Sequence, residues 1–540
     1  MYFRPAIFAL LAVLFFTSGT GCQKSEFRAP AAPPTVLSPD TIASVHWLGK
    51  KRLGITAGAY YFARIWQQPQ SAQLERQTLV KLATAADQWL PGGTNLNSDA
   101  RSRLWWLFSD ILQEESYLEI RLATNSPSTG GEVRGEVGLE NSSIVFAILL
   151  NKAQIEQWRT NLPVVLEPLT GARAVVNPQT HGWLLQTTNA LIQFSRVGDW
   201  IIVAAGLQPD SLAGEITTRI HRDGVPFVSA GTNLWLEASL NLPRVAAMSS
   251  SPFFPLHLPL ISQFSTLNFS ISGDGGNVIT RAKLALSQPL STQLPPWRLP
   301  VDLMREPLAS FTAVRGLQPL LADWPVWRDL QIGTAPDQLF SWSLSGSPYQ
   351  VYLAAPLPDA TSQVASLTDH LVQRANPWLA ANGYVSFDRA ADANGVTWGN
   401  LPDIKPFIKS VGTGTDGWLF AGLQPDTNNA ATPPPAGMIQ DVLRRTNLVY
   451  YDWEVTGPRL QPCLQLNQTV RLITRQPQIS MDSASIQWLG MLIPRLGTSA
   501  TIINRIGPAE FTLYRRSTLG LTAPELHLLI GWLESPQFPR

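Results

Sequence analysis

The apolar positions divide the chain into two stretches that use one order of elements. Within Ser71–Leu90, Leu74, Thr78, Leu82 and Ala86 fall at helical spacing until Pro91-Gly-Gly stops the run. Ser98 can then cap a second helix that turns Leu104, Leu107, Phe108 and Ile111 inward. Tyr117–Ala123, Glu132–Leu139 and Ser143–Leu150 read as consecutive strands, Asn151 caps a short helix through Trp158, and a hairpin follows at Trp183–Thr187 and Ala190–Ala204. Further on, Ala309–Val314, Leu339–Leu344 and Gln350–Ala354 read as strands and Ala360–Arg374 as a helix. Thr522-Ala-Pro-Glu525 has capping-box spacing ahead of a stripe formed by Leu526, Leu529, Ile530 and Leu533.

Two segments recur in the same order. Gly198–Asp210 (GDWIIVAAGLQPD) returns as Thr415–Asp426 (TDGWLFAGLQPD), and Thr232-Asn-Leu returns as Thr446-Asn-Leu, each opening an apolar strand. Phe264–Ser287 and Ser499–Thr522 both read as hairpins around a Gly-containing turn. The expected organisation is an internal duplication, with one α+β domain at 38–290, a Pro-rich linker at 291–303 and a related α+β domain at 304–540. Short hairpins outnumber strand-helix-strand units, so the expected sheets are mainly antiparallel, each covered on one face by helices.

The amino terminus carries a processing signal. Arg4 precedes the apolar run Pro5–Phe16, which is too short to span a bilayer. Gly19, Thr20 and Gly21 then lead to Cys22. This resembles the lipobox of bacterial lipoproteins, although Gly19 stands where that pattern usually has Leu, which leaves ordinary signal-peptidase cleavage as the alternative. The resemblance implies residues 1–22 as signal peptide, a lipid on Cys22, and 23–37 as a Pro/Ala-rich tether holding the body at a membrane. Leader, tether and doubled body together resemble bacterial cell-envelope lipoproteins built from two related α+β domains. That resemblance implies a lipid-anchored, non-enzymatic binding or structural module facing the periplasm, with an envelope protein or glycan as partner. The alternative is an envelope hydrolase, or a carrier of an apolar ligand or glycan, using a cleft between the repeats.

Composition narrows the classes. The 540 residues carry 40 Lys+Arg against 39 Asp+Glu, so no overall field attracts nucleic acid, and none is expected as a partner. With Cys22 acylated, Cys463 is left alone and no intramolecular disulfide is expected; its setting, Gln461-Pro-Cys-Leu-Gln-Leu, reads as an apolar strand.

Candidate chemistry is sparse. Gly412-Thr-Gly-Thr-Asp-Gly417 matches a dinucleotide fingerprint by letter, but Trp418 onward reads as a strand where the fingerprint needs a helix, so a hairpin turn is expected and no cofactor. None of the six His falls at metal-ligand spacing, so no metal is expected. Asp452 and Glu454 flank Trp453 on a predicted strand, and a period of two puts both carboxylates on one face. That is the arrangement of a glycosidase or shared-proton pair, while Arg444 and Arg445 upstream equally suit a salt-bridge patch. Trp105, Trp106, Trp297, Trp324, Trp327 and Trp342 suit either sugar stacking and apolar grooves or core filling, with core filling the leading reading.

Overall fold

The computed structural model describes residues 38–540 apart from 87–92, 123–141, 178–181, 189, 229–230, 232, 249–262, 291–292, 317, 319–335, 382, 384–387, 390–394, 398–403, 426–431, 474–479, 481, 537 and 540. Cys22, the leader and the tether lie outside the described residues, as do the expected strand Glu132–Leu139, Trp324 and Trp327.

The fold is α+β, and among the described residues all strand pairs are antiparallel within one sheet of twenty strands. The first ten strands are β1 (Thr41–Trp47), β2 (Ser116–Leu122), β3 (Ser142–Leu149), β4 (Ala174–Asn177), β5 (Gly182–Gln186), β6 (Leu191–Val197), β7 (Trp200–Gly206), β8 (Leu236–Asn241), β9 (Phe264–Gly273) and β10 (Val278–Leu286). The second ten are β11 (Leu308–Arg315), β12 (Gln338–Leu344), β13 (Val351–Pro356), β14 (Asp388–Arg389), β15 (Gly395–Thr397), β16 (Phe407–Val411), β17 (Trp418–Gly422), β18 (Leu448–Val455), β19 (Thr498–Gly507) and β20 (Glu510–Ser517). From one edge the first ten pair in the order β4-β5-β6-β7-β3-β2-β1-β8-β9-β10. From the other edge the second ten pair as β14-β15-β16-β17-β13-β12-β11-β18-β19-β20, the same order with ten added to every number. The halves meet where β10 pairs with β20, Thr280 opposite Arg515, so the sheet is continuous.

The twelve α-helices, among the described residues, are α1 (Lys50–Leu53), α2 (Tyr60–Trp66), α3 (Pro69–Thr84), α4 (Ser98–Gln113), α5 (Lys152–Thr170), α6 (Pro209–Asp223), α7 (Leu242–Met248), α8 (Ala360–Ala381), α9 (Ala436–Arg444), α10 (Thr456–Ile473), α11 (Ala484–Leu492) and α12 (Ala523–Leu533). None is long and apolar enough to cross a membrane. Helices cover both faces of each half-sheet rather than one. Ile148 of β3 packs with α5 residues Ile155 and Trp158, while its neighbours Val145 and Ala147 pack with α6 residues Leu212 and Ile216 on the other side. The unbroken apolar run of β7, Trp200 to Ala205, suits a strand buried on both faces better than one with a wet side.

Local chemistry explains several boundaries. Asn97, not Ser98, caps α4 by accepting the Ala100 amide, and Asn151 forms a full capping box with Gln154. The helix after Asn151 does not stop at Trp158. It runs to Thr170 through Pro163 and Pro168, with Ile155, Trp158 and Val165 buried, and ends at Gly171 in the left-handed conformation. Thr522 and Glu525 close the expected capping box on α12, and Leu526, Ile530 and Leu533 are buried in the last core. The strand expected around Cys463 is instead part of α10. Gly457-Pro458 sits in its first turn, where Pro is tolerated, and Leu460 and Leu464 at i, i+4 supply a helical apolar face. The glycine-rich Gly412–Gly417 is the expected hairpin turn: Val411 pairs with Trp418 across it, and Gly412 and Gly414 take φ of 78° and 59°.

Candidate functional site

Equivalent strands in the two halves can be set in register by features at both ends. Trp200 and Trp418 open β7 and β17 opposite Val197 and Val411, and the residues before them, Asp199 and Gly417, accept the amides of Leu150 and Leu357. Gly49 and Gly316 follow β1 and β11 with φ of 85° and 71°. Counting three residues from each Trp reaches Val203 and Ala421.

One row of cross-strand partners runs through each of these positions. In the first half it reads Trp183, Phe194, Val203, Phe146, Leu118, Val45, Ala238 and Phe269. Every side chain is apolar, and under α5 the row is closed. Trp183 stacks on Phe194 with centroids 5.4 Å apart, and Trp158 stacks on Phe146 at 6.1 Å. Trp183 and Phe194 are buried in that core.

The same row in the second half reads Val396, Ile408, Ala421, Leu353, Ser341, Thr312, Asp452 and Thr501. Trp is replaced by Val, Phe by Ile, Val by Ala, Phe by Leu and Leu by Ser, so five successive positions lose side-chain volume. The space left between this row and α8 is a pocket of about 480 Å³, lined by Val396, Ile408, Ala421, Leu353 and Ser341 from the sheet and by Thr368, Leu371 and Val372 from the helix. Its size falls within the ~300–1,000 Å³ of small-molecule sites. Its walls are almost wholly apolar, with Ser341 on the sheet and Thr368 on the helix among the hydroxyl-bearing side chains at its border, and among the described lining residues none is charged.

Beyond Ser341 the row turns polar. The Thr312 hydroxyl donates to Asp452 Oδ1 at 2.6 Å, and Arg459 Nη1 of α10 reaches Asp452 Oδ1 at 3.3 Å and Glu454 Oε2 at 2.7 Å. Glu454 Oε1 accepts the amide of Ala523, the first residue of α12, at 2.8 Å. Asp452 and Glu454 are 3% and 0% exposed, and among the described residues the Arg459 guanidinium is the cation paired with both buried carboxylates. Burial pushes the Glu454 carboxyl above the ordinary Glu range and Asp452 adds repulsion, while Arg459 opposes both. One strand further, Arg515 donates to Thr501 Oγ1 and forks onto Glu525 at 3.0 Å. Burial pushes the Cys463 thiol up, away from a thiolate at neutral pH.

The structure therefore brings Asp452 and Glu454 together on one face, as the period of two predicts, and joins both to Arg459. Neither lines the pocket. Arg445 pairs with Asp441 instead of with the carboxylates downstream. Among the described residues no tryptophan lines the pocket. Trp342 and Trp297 are buried in the opposite core, Trp342 stacked on Phe420 and Trp297 beneath the Arg315 guanidinium, while Trp106 is exposed. Among the described residues no group of His, Cys, Asp and Glu is placed to hold a metal.

Sequence reasoning missed Arg459, Thr312, Ser341 and a second buried network in the first half. There Glu119, fully buried, accepts from Tyr117 Oη at 2.7 Å, Arg121 Nε at 2.6 Å and Arg219 Nη1 at 3.0 Å. Glu215, hydrogen-bonded by Arg121 and Arg219, is drawn down to about 2. Setting the two halves side by side on AGLQPD alone gives other rows, because β17 has five residues against seven in β7 and the shared segment follows Trp418 two positions sooner than it follows Trp200.

No protein-family model matches the sequence, and no curated protein matches it. Among solved structures, crystal form IV of TP0453 aligns with 45% of this chain and 76% of its own, at 7% identity and a TM-score of 0.21, a likeness too slight to carry an argument.

Proposed function

We propose that the protein is a non-enzymatic, lipid-anchored binding module of the bacterial cell envelope, built by internal duplication, whose second half holds an apolar ligand between α8 and the sheet. The observation that carries this reading is the pocket of about 480 Å³ at a row whose counterpart in the first half is filled by Trp183 and Phe194. An unfilled apolar cavity costs stability in proportion to its volume, and the same architecture here has a filled solution. Repetition of the strand-pairing order supports the duplication. The lipobox-like Gly19-Thr-Gly-Cys22 supports the anchor.

Titration of the purified protein with Nile red, a neutral apolar dye, tests the pocket. Saturable binding of one dye per chain, competed by dodecane, is expected; fluorescence that rises without saturation would remove the ligand reading. The anchor has its own test. Cys22→Ala is expected to abolish incorporation of radiolabelled fatty acid and to release the protein from membranes, whereas unchanged membrane attachment refutes lipidation at Cys22.

A further inference from the structure

Resting on that binding reading, we infer that the pocket takes a single-chain amphiphile with an uncharged, hydroxyl-bearing head, its chain along Val396, Ile408, Ala421 and Leu353 and its head at Ser341 and Thr368. The row is graded in polarity. Four apolar positions lead to the Ser341 hydroxyl, and Thr312 lies directly across from Ser341 on the next strand. Thr368 of α8 borders the same pocket, and its hydroxyl, which donates to the Ala365 carbonyl at 2.8 Å, keeps its lone pairs for a donor on the head. In the first half these positions end on Leu118 and Val45, so the polarity belongs to the half that has the pocket.

The charges behind this wall decide which head fits. Asp452 stands two strands from Ser341, ~10 Å at the usual strand spacing, with Thr312 between them. Its Oδ1 already accepts from Thr312 and Arg459, and Arg459 is shared with Glu454. Among the described residues no cation lines the pocket to meet an anionic head at Ser341: Arg459 faces two carboxylates, and Lys409 lies over the rings of Phe407 and Phe420. A cationic head is separated from Asp452 by Thr312. Either charge loses water without a counter-ion in contact, at a cost far above that of a hydroxyl whose hydrogen bonds Ser341 and Thr368 replace. A hydroxyl head is the one whose demands the wall meets.

Competition against Nile red at pH 8 by 1-monolauroylglycerol, laurate and dodecylamine, matched in chain length, tests the assignment. Monolauroylglycerol is expected to displace the dye at a concentration at least about tenfold below the other two. Ser341→Ala is expected to narrow that gap about three- to tenfold, the loss of one net hydrogen bond. Laurate or dodecylamine competing as well as monolauroylglycerol, or a gap unchanged in Ser341→Ala, overturns the inference while leaving the pocket intact. Failure of the dye itself to bind overturns both.

Discussion

Arg459→Met is expected to cost about 3–5 kcal/mol of stability at pH 8, because it leaves Asp452 and Glu454 buried without their cation. The size of the effect follows from the geometry: Arg459 Nη1 is within bonding distance of both carboxylates. The loss also has a definite pH dependence. In the native protein the folded state raises the Glu454 carboxyl above its ordinary range, so it binds the proton more tightly than the unfolded chain does. Its contribution is therefore complete below the unfolded value and is lost as pH rises through the folded one. Removing Arg459 takes away the attraction that opposes burial, which moves the folded value higher and extends the falling limb to higher pH. Urea denaturation of both proteins is expected to show the widest gap at pH 8 and a narrower one near pH 5. Adding Asp452→Asn and Glu454→Gln to the variant is expected to recover most of the loss, since no bare charge then remains. A gap that is absent, or equal at the two pH values, contradicts the view of this triad as a buried, mutually compensated ion network.

The same triad shows what was legible in the sequence and what was not. That Asp452 and Glu454 share a face follows from strand periodicity, a local property. Their partner Arg459 lies five residues beyond Glu454 on α10, and identifying it required reading Gly457-Pro458 as a helix start and not as a break between strands. Capping chemistry was likewise readable at Asn151 and Thr522, because one side chain and the next few amides suffice. The length of α5 was not, since packing of Val165 and Leu166 in the first-half core carries the helix past Pro163.

The pocket is further from the sequence. It exists because Val396, Ile408, Ala421 and Leu353 meet in one row, and those residues span strands whose pairing is non-local. Only with the register fixed does the contrast with Trp183, Phe194, Val203 and Phe146 become visible. The abundant tryptophan is the more conspicuous hint in the sequence, yet among the described residues Trp183 and Trp158 are buried in the first-half core and no tryptophan lines the second-half pocket. The small residues are informative, and small apolar residues in a strand look unremarkable until their equivalents are known.

That contrast is also the most direct test. Val396→Trp combined with Ile408→Phe writes the first half's plug into the second half. The new rings enter existing space of about 480 Å³, so the usual cost of overpacking is offset by the cavity they fill. Nile red affinity measured beside the thermal midpoint is expected to fall more than about a hundredfold, consistent with loss of most of the apolar contact, while the midpoint holds or rises. Ala421→Val, which adds two methyl groups to one position of the row, provides the same comparison in a single variant, with a smaller loss expected. A folded double variant that binds the dye as tightly as the native protein would show that the opening under α8 is not the binding site.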